Sequence, residues 1–496
     1  MEQLEKLIEH IIKRVNLSLR EFKNKEPHFE ASLYLENMTR IDDLLKYYAY
    51  YGIWSHHPLQ FYFNDSNLGG TYFLGRCEVD HSVLYNCDVR GDELKEKGAV
   101  FKHGDEEVII KRPEIIRIRN CFLVKTLVHN YSHWPEEFYL YLIKNTISAP
   151  YANIHGSPTD GCFLGAFSTV DLTHVHDCII GRYAYVQVGD LSHCRVESGR
   201  VWIRVPDDNP GGYFEFNYQH DINNLEQYVS FEPGRGVSGK FMELVDSRKV
   251  DLQELYEVVD RKHQVPVPET THVNRYAMLI GRGNQIGENV LISQRAFIEN
   301  ATLGKGANAQ ENCYIGFSNL KGYNVTAHGA SISYSELGER TFVGFNSYLL
   351  GKPTQPLLVG EQCIIAPHTI IDLEESVTVP PRHLVWGYIR NARDLEEHSM
   401  SLEELAEIET DDEGIKMGAM EFKGSGKLFV NAFQSRIEHI LKDNGALYDG
   451  TDSTLGHAQK GQEISFNIMQ PYREGAEKGI YPTIYIRSSD TEKAVR

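Results

Sequence analysis

From residue 286 the chain repeats itself in sixes. IGENVL, ISQRAF, IENAT, LGKGAN, AQENCY and IGFSNL follow one another, led by Ile286, Ile292, Ile298, Leu303, Ala309 and Ile315. LGERTF and VGFNSY continue the pattern at Leu337 and Val343, and after a loop it resumes at Val359, Ile365, Ile371 and Val377. Gly often follows the lead (Gly287, Gly304, Gly316, Gly338, Gly344, Gly360), and a small or apolar residue often stands four places after it, as at Val290, Ala296, Ala307 and Cys313. An inward lead residue and a turn at every sixth position make a short strand per unit. Three such strands close a triangular coil of about 18 residues, and coils stack because each buries its apolar row only against its neighbours. Few other folds accommodate this pattern.

These hexads resemble the hexapeptide-repeat transferase superfamily over roughly 110 residues with one main interruption. The resemblance implies a left-handed parallel β-helix. A looser set lies upstream. Leu74, Val79, Leu84 and Val89 lead units spaced by five, and Val170, Val175, Ile180, Val186, Leu191 and Val196 mix fives with sixes. Coils of about 16 residues would stack Val170 on Val186, Val175 on Leu191, Ile180 on Val196 and Cys178 on Cys194. A conventional sheet with period-two alternation is the competing reading.

The expected organisation is mainly β, with two left-handed β-helical segments. Residues 1–50 form a helical N-terminal segment, with Leu4, Leu7, Ile8, Ile11 and Val15 on one stripe that offers a face for association. Residues 51–215 form the first, degenerate β-helix with an insertion at 92–160, and 216–270 connect through a helix at 251–264. Residues 271–390 form the second β-helix. Residues 391–496 form an α/β tail, with a helix over NAFQSRIEHILKDN and a strand at TIYIRS. Residues 36–51 also read as helical, as does 401–409, where Ser401 and Glu404 make a capping box.

Composition excludes some functions. Fifty Lys and Arg against 69 Asp and Glu give a net charge of −19, which repels a phosphate backbone, so no nucleic-acid partner is expected. No apolar run reaches the ~18 residues of a membrane span. The N-terminus has no signal-peptide core, so a cytoplasmic location is expected. The 8 cysteines include no C-x-x-C pair and are expected to be reduced.

His328, in NVTAHGASISYSELG, follows Ala327, read as the lead of its unit, and is placed to point outward. Acyltransferases that resemble this repeat use a His as general base and bind acyl-CoA along a groove between subunits. The resemblance therefore implies His328 as catalyst, acyl-CoA or CoA as co-substrate, and a homotrimer acting on a small molecule. Imidazole suits the work because it titrates near neutrality. Tyr334–Gly338 is similar to the segment after the acceptor site of glucosamine-1-phosphate acetyltransferase domains, although two extra residues and Lys321 are expected to disturb the register upstream. The loop GKPTQPL at 351–357 interrupts the hexads, and loops leaving a repeat fold often build its site. Lys352 could meet a CoA phosphate, with Gly344 and Gly360 as a side-chain-free edge for the pantetheine arm. His368 reads as a polar corner.

Stacking by 16 also gathers His174, His176, Asp177, Asp190 and His193. Such a set can hold zinc, and γ-class carbonic anhydrases share the repeat, but their ligand pattern is not reproduced. Hydrogen-bonded imidazoles without metal are the expectation. His129 and His133 lack the Glu of HEXXH, and GRGVSGKF at 234–241 has Phe241 where a P-loop needs Ser or Thr. The leading function is acyl transfer from acyl-CoA to a small acceptor such as a sugar or sugar nucleotide. The alternatives are a non-catalytic β-helical scaffold and a carbonic-anhydrase-like hydratase.

Overall fold

The structure, a computed structural model, describes residues 1–35, 38–54, 59–103, 106–130, 141–204, 213–217, 226–232, 236–241, 265–408, 411–417, 420–461, 464–470 and 479–487. The connecting helix expected at 251–264 lies outside them, as does His133. The protein is mainly β, and most strands pair in parallel. It divides into two compact units. One comprises Met1–Trp202, Tyr228–Glu243 and Glu463–Arg496, the other Ile203–Gln227 and Leu244–Gln462.

In the second unit the chain visits three sheets in rotation. Leu291–Ile292 lies in one, Phe297–Glu299 in the next and Thr302–Leu303 in the third, and Asn308–Ala309 returns to the first. Ile298 pairs with Ile315, Ile315 with Ile332 and Ile332 with Leu349, so a rung here is 17 residues. Two sides of each rung run six residues from lead to lead and the third runs five. On the six-residue sides the left-handed corner residue comes three places after the lead, as at Asn289 and Arg295. On the short side it comes two places after, at Asn300, Phe317 and Tyr334. Register is unbroken at Lys321: Leu303 pairs with Leu320 and Leu320 with Leu337. The lead before His328 is Thr326, which pairs with Ala309 and Val343, rather than Ala327. Constant rung length forces this shift of one place.

In the first unit Val170 pairs with Val186, Val175 with Leu191 and Ile180 with Val196, which is the 16-residue stacking. Cys178 and Cys194 face each other with sulfurs 3.8 Å apart, and both are free thiols. Phe73, in register with Val89, takes the inward place expected for Leu74. The stretch 92–160 is mostly not an insertion. Ile116–Arg119 pairs in parallel with Cys77–Asp80 and with Tyr141–Lys144, and the strands continue to Asp160. The described departure precedes Ile116 and holds an antiparallel hairpin, Val100–His103 with Glu106–Ile109.

The N-terminal helix spans Glu2–Ser18 and buries Leu4, Leu7, Ile11 and Val15 within the chain, so this stripe is not an exposed face for association. Residues 36–51 are not one helix. Ile41–Leu44 makes a single turn, and Ala49–Trp54 is a strand beside Thr71–Leu74, as its tyrosines favour. The tail contributes a helix at Gly426–Asp443, capped by Ser425, and strands Ile464–Met469 and Ile484–Arg487 that pair antiparallel in the first unit. Ser401 caps Leu402–Ala406 by accepting from the Glu404 amide at 3.1 Å.

Each unit has its own apolar core, and Ile332 is fully buried in the second. Truncating it removes contacts to the rungs on both sides. Ile332→Ala is expected to lower unfolding stability by about 2–5 kcal/mol, read as a reduced urea midpoint.

Candidate functional site

His328 occupies a rung corner of the second unit. The residues preceding the left-handed corner on successive rungs are Gln294, Glu311, His328 and Phe345, each before Arg295, Asn312, Gly329 and Asn346 respectively. The repeat thus puts Glu311 and Phe345 on either side of His328. Its Nδ1 lies 2.8 Å from Glu311 Oε2, and its ring stacks on Phe345 with centroids 5.6 Å apart. His328 is only 5% exposed, not the open surface position expected for an outward side chain. The Glu311 carboxylate and the Phe345 ring confine the imidazole between them.

The other sequence candidates separate from one another. Residues 351–356 link Tyr348–Leu350 to Leu357–Val359, and Lys352 and Gln355 close the loop by exchanging backbone hydrogen bonds of 2.9 and 3.0 Å. Lys352 is exposed. Gly344 and Gly360 do not form an open edge. A Cβ on Gly344 would lie 2.5 Å from the Pro367 nitrogen, and one on Gly360 2.4 Å from the Pro381 nitrogen. Both glycines let the next rung approach, so backbone fills the space expected for a pantetheine arm. His368 is a left-handed corner residue, and burial pulls its pKa down to about 3. It stays neutral at physiological pH. Gly236–Ser238 of the P-loop-like segment is a strand paired antiparallel with Ser230–Glu232, not a phosphate-cradling loop.

The first unit carries a buried polar column that sequence reasoning missed. Arg90, His129, His155 and Asp171 are successive register partners in one sheet. Each follows an inward apolar residue: Val89, Val128, Ile154 and Val170. Asp171 is fully buried; it lies 2.9 Å from His155 Nδ1 and accepts a 2.5 Å hydrogen bond from the Tyr185 hydroxyl. The rings of His155 and His129 meet at 5.0 Å, and His129 Nε2 lies 3.4 Å from Asp92 Oδ1. Arg90 donates to Asp92 at 2.6 Å.

Comparison with known proteins places this architecture. The family described as hexapeptide repeat including loop matches residues 106–233. A crystal structure from Desulfovibrio desulfuricans G20, provisionally assigned as an acetyltransferase, is 44% identical over 98% of this chain and 99% of that one, with a TM-score of 0.87. The chain belongs to the hexapeptide-repeat transferase superfamily. The UDP-N-acetylglucosamine acyltransferase of Campylobacter jejuni is 15% identical over 53% of this chain and 70% of its own, and superposes with a TM-score of only 0.19. No curated protein sequence matches the chain.

Within this hexapeptide-repeat protein the histidines of THVHD divide. His174 pairs in register with Asp190. His176 and His193 instead converge on Asp177, with Nδ1 atoms 3.1 and 3.8 Å from its Oδ2. The partnership of His155 with Asp171 had a signal in the sequence, the 16-residue spacing at which Ile154 also pairs with Val170. His129 was out of reach of such arithmetic, because its register partner is His155, far more than 16 residues along the chain.

Burial alone would raise the Asp92 pKa, but the Arg90 guanidinium and His129 outweigh it and hold the carboxyl well below the usual carboxylate range. A depressed value means stability gained above the unfolded carboxyl pKa of about 3.9 and lost as pH falls through the folded value. Asp92→Asn is therefore expected to be less stable than the parent at pH 7. The gap in melting temperature should narrow as pH drops below about 4.

Proposed function

We propose that this chain is an acyltransferase that moves an acyl group from a CoA thioester to a hydroxyl or amine of a small acceptor such as a sugar or sugar nucleotide. The observation that carries the reading is the His328–Glu311 pair, 2.8 Å apart at a rung corner. The near full-length similarity to the Desulfovibrio protein supports it. We take the three-sheet winding as the left-handed parallel β-helix of the superfamily.

In this reading Glu311 holds the proton on His328 Nδ1 and leaves Nε2 as the base. Nε2 takes the acceptor proton as the acceptor oxygen or nitrogen attacks the thioester carbonyl. The C–S bond breaks, CoA leaves as its thiolate, and the imidazolium returns the proton to it. Glu311 faces the positive charge that forms in between. The exposed ammonium of Lys352 is the donor-side contact, suited to a CoA phosphate. Binding of substrate to His328 requires an approach to a side chain that is nearly buried, which favours a small acceptor over a polymer.

His328→Ala is expected to lower turnover by about 10²–10⁴-fold, the usual worth of a positioned base, with CoA affinity nearly unchanged. Lys352→Ala should weaken donor binding and leave saturated turnover nearly intact. Calorimetry showing no acyl-CoA binding at millimolar ligand would turn the reading to the non-catalytic scaffold.

The same reading carries a homotrimer in the cytoplasm. Light scattering is expected to give a particle of three chains, and a 56.6 kDa monomer at micromolar concentration would remove any site shared between subunits. Among the described residues no helix is long and apolar enough to cross a membrane.

A further inference from the structure

We propose that Glu21, His176, Asp177 and His193 form a binding site for a divalent cation of the zinc class, which fastens the N-terminal helical segment to the rung corner at Asp177 and His193 within the first unit. The proposal is independent of the acyl-transfer reading. It departs from the metal-free expectation because the structure adds a carboxylate the sequence did not bring to the group. Glu21 Oε1 lies 3.5 Å from His193 Nδ1, and Glu21 stands in the short helix Arg20–Phe22 that follows Glu2–Ser18. His176, Asp177 and His193 each offer a ligand atom, all within 4.8 Å of one another.

The separations around Asp177 and His193 are close to those of a tetrahedral ion, and Glu21 reaches the group through His193. Zinc bonds of about 2.0–2.1 Å to nitrogen and oxygen imply donor atoms about 3.3 Å apart. The observed separations around Asp177 and His193 are 3.1, 3.5 and 3.8 Å. Two imidazoles with two carboxylates make a donor set that suits zinc and its neighbours better than calcium or magnesium, which prefer oxygen alone.

The rung geometry prepares the site. Asn145, Gly161, Asp177 and His193 are left-handed corner residues at intervals of 16. A Cβ on Gly161 would lie 2.2 Å from Asp177 Oδ1 and 2.6 Å from Ser18 Oγ, so a glycine there makes room for both the carboxylate and the helix end. At the Asn145 corner, Arg14 Nε donates to Asn145 Oδ1 at 2.6 Å. The helix thus follows this corner, and Glu21 arrives at His193 where the corner continues. A cation shared by Glu21 and the corner residues would tie the segment down at its far end.

The test uses full-length protein without an affinity tag, stripped with a chelator. Added Zn²⁺ is expected to bind at about one per chain, raise the melting temperature and slow tryptic cleavage in the N-terminal segment. Co²⁺ in its place should give the intense visible bands of a four-coordinate complex. His176→Ala and His193→Ala should lose the Co²⁺ spectrum and the thermal shift, Glu21→Gln should weaken both, and His174→Ala should leave both unchanged. Because both imidazoles lie at the surface, their removal is compatible with folding, which circular dichroism checks for each variant. Zn²⁺ binding that is absent, or that survives in the His176→Ala, His193→Ala double variant, overturns the proposal.

Discussion

Among the described residues, neighbouring rungs hydrogen-bond to each other along their backbones, and this register governs the rest of the protein. A residue on one rung has a fixed partner 16 or 17 places on, as Val170 has in Val186 and Ile315 in Ile332. Inward positions become apolar columns and corner positions become columns of left-handed residues. A slip of one residue would turn each column to the opposite face. The glycines at 344 and 360 serve the same end, since backbone of the following rung occupies the space beside them.

Once columns exist, chemistry can be placed by repetition. Glu311, His328 and Phe345 come together because they hold the same place on three rungs. Arg90, His129, His155 and Asp171 do so on a sheet face of the first unit. Burying such groups is costly unless they are paired. Asp171 is bonded from two sides, by His155 and Tyr185, and Asp92 accepts one hydrogen bond from Arg90. The fold supplies support on both sides of each group.

The two units solve corner geometry differently. The first closes a rung with two five-residue sides and one of six, the second with two sixes and one five. The shorter rung brings Asp177 and His193 onto one corner, where the helix carrying Arg14 also arrives. The longer rung puts Glu311 beside His328.

The repeat was legible from sequence because a lead residue recurring at fives and sixes has few structural solutions. It determined the rung partners Val170–Val186 and Ile180–Val196 and the facing of Cys178 and Cys194. The helix over NAFQSRIEHILKDN was also read from the sequence, and the structure extends it back to Gly426. The true lead before His328 was not, because Thr326 and Ala327 are both small enough to point inward and only hydrogen-bond register distinguishes them. The partnership of His328 with Glu311, the buried column around Asp171 and the arrival of Glu21 at His193 were decided by tertiary structure. Each depends on side chains distant along the chain that meet only when rungs stack or a helix docks, and no local pattern of residues encodes that meeting.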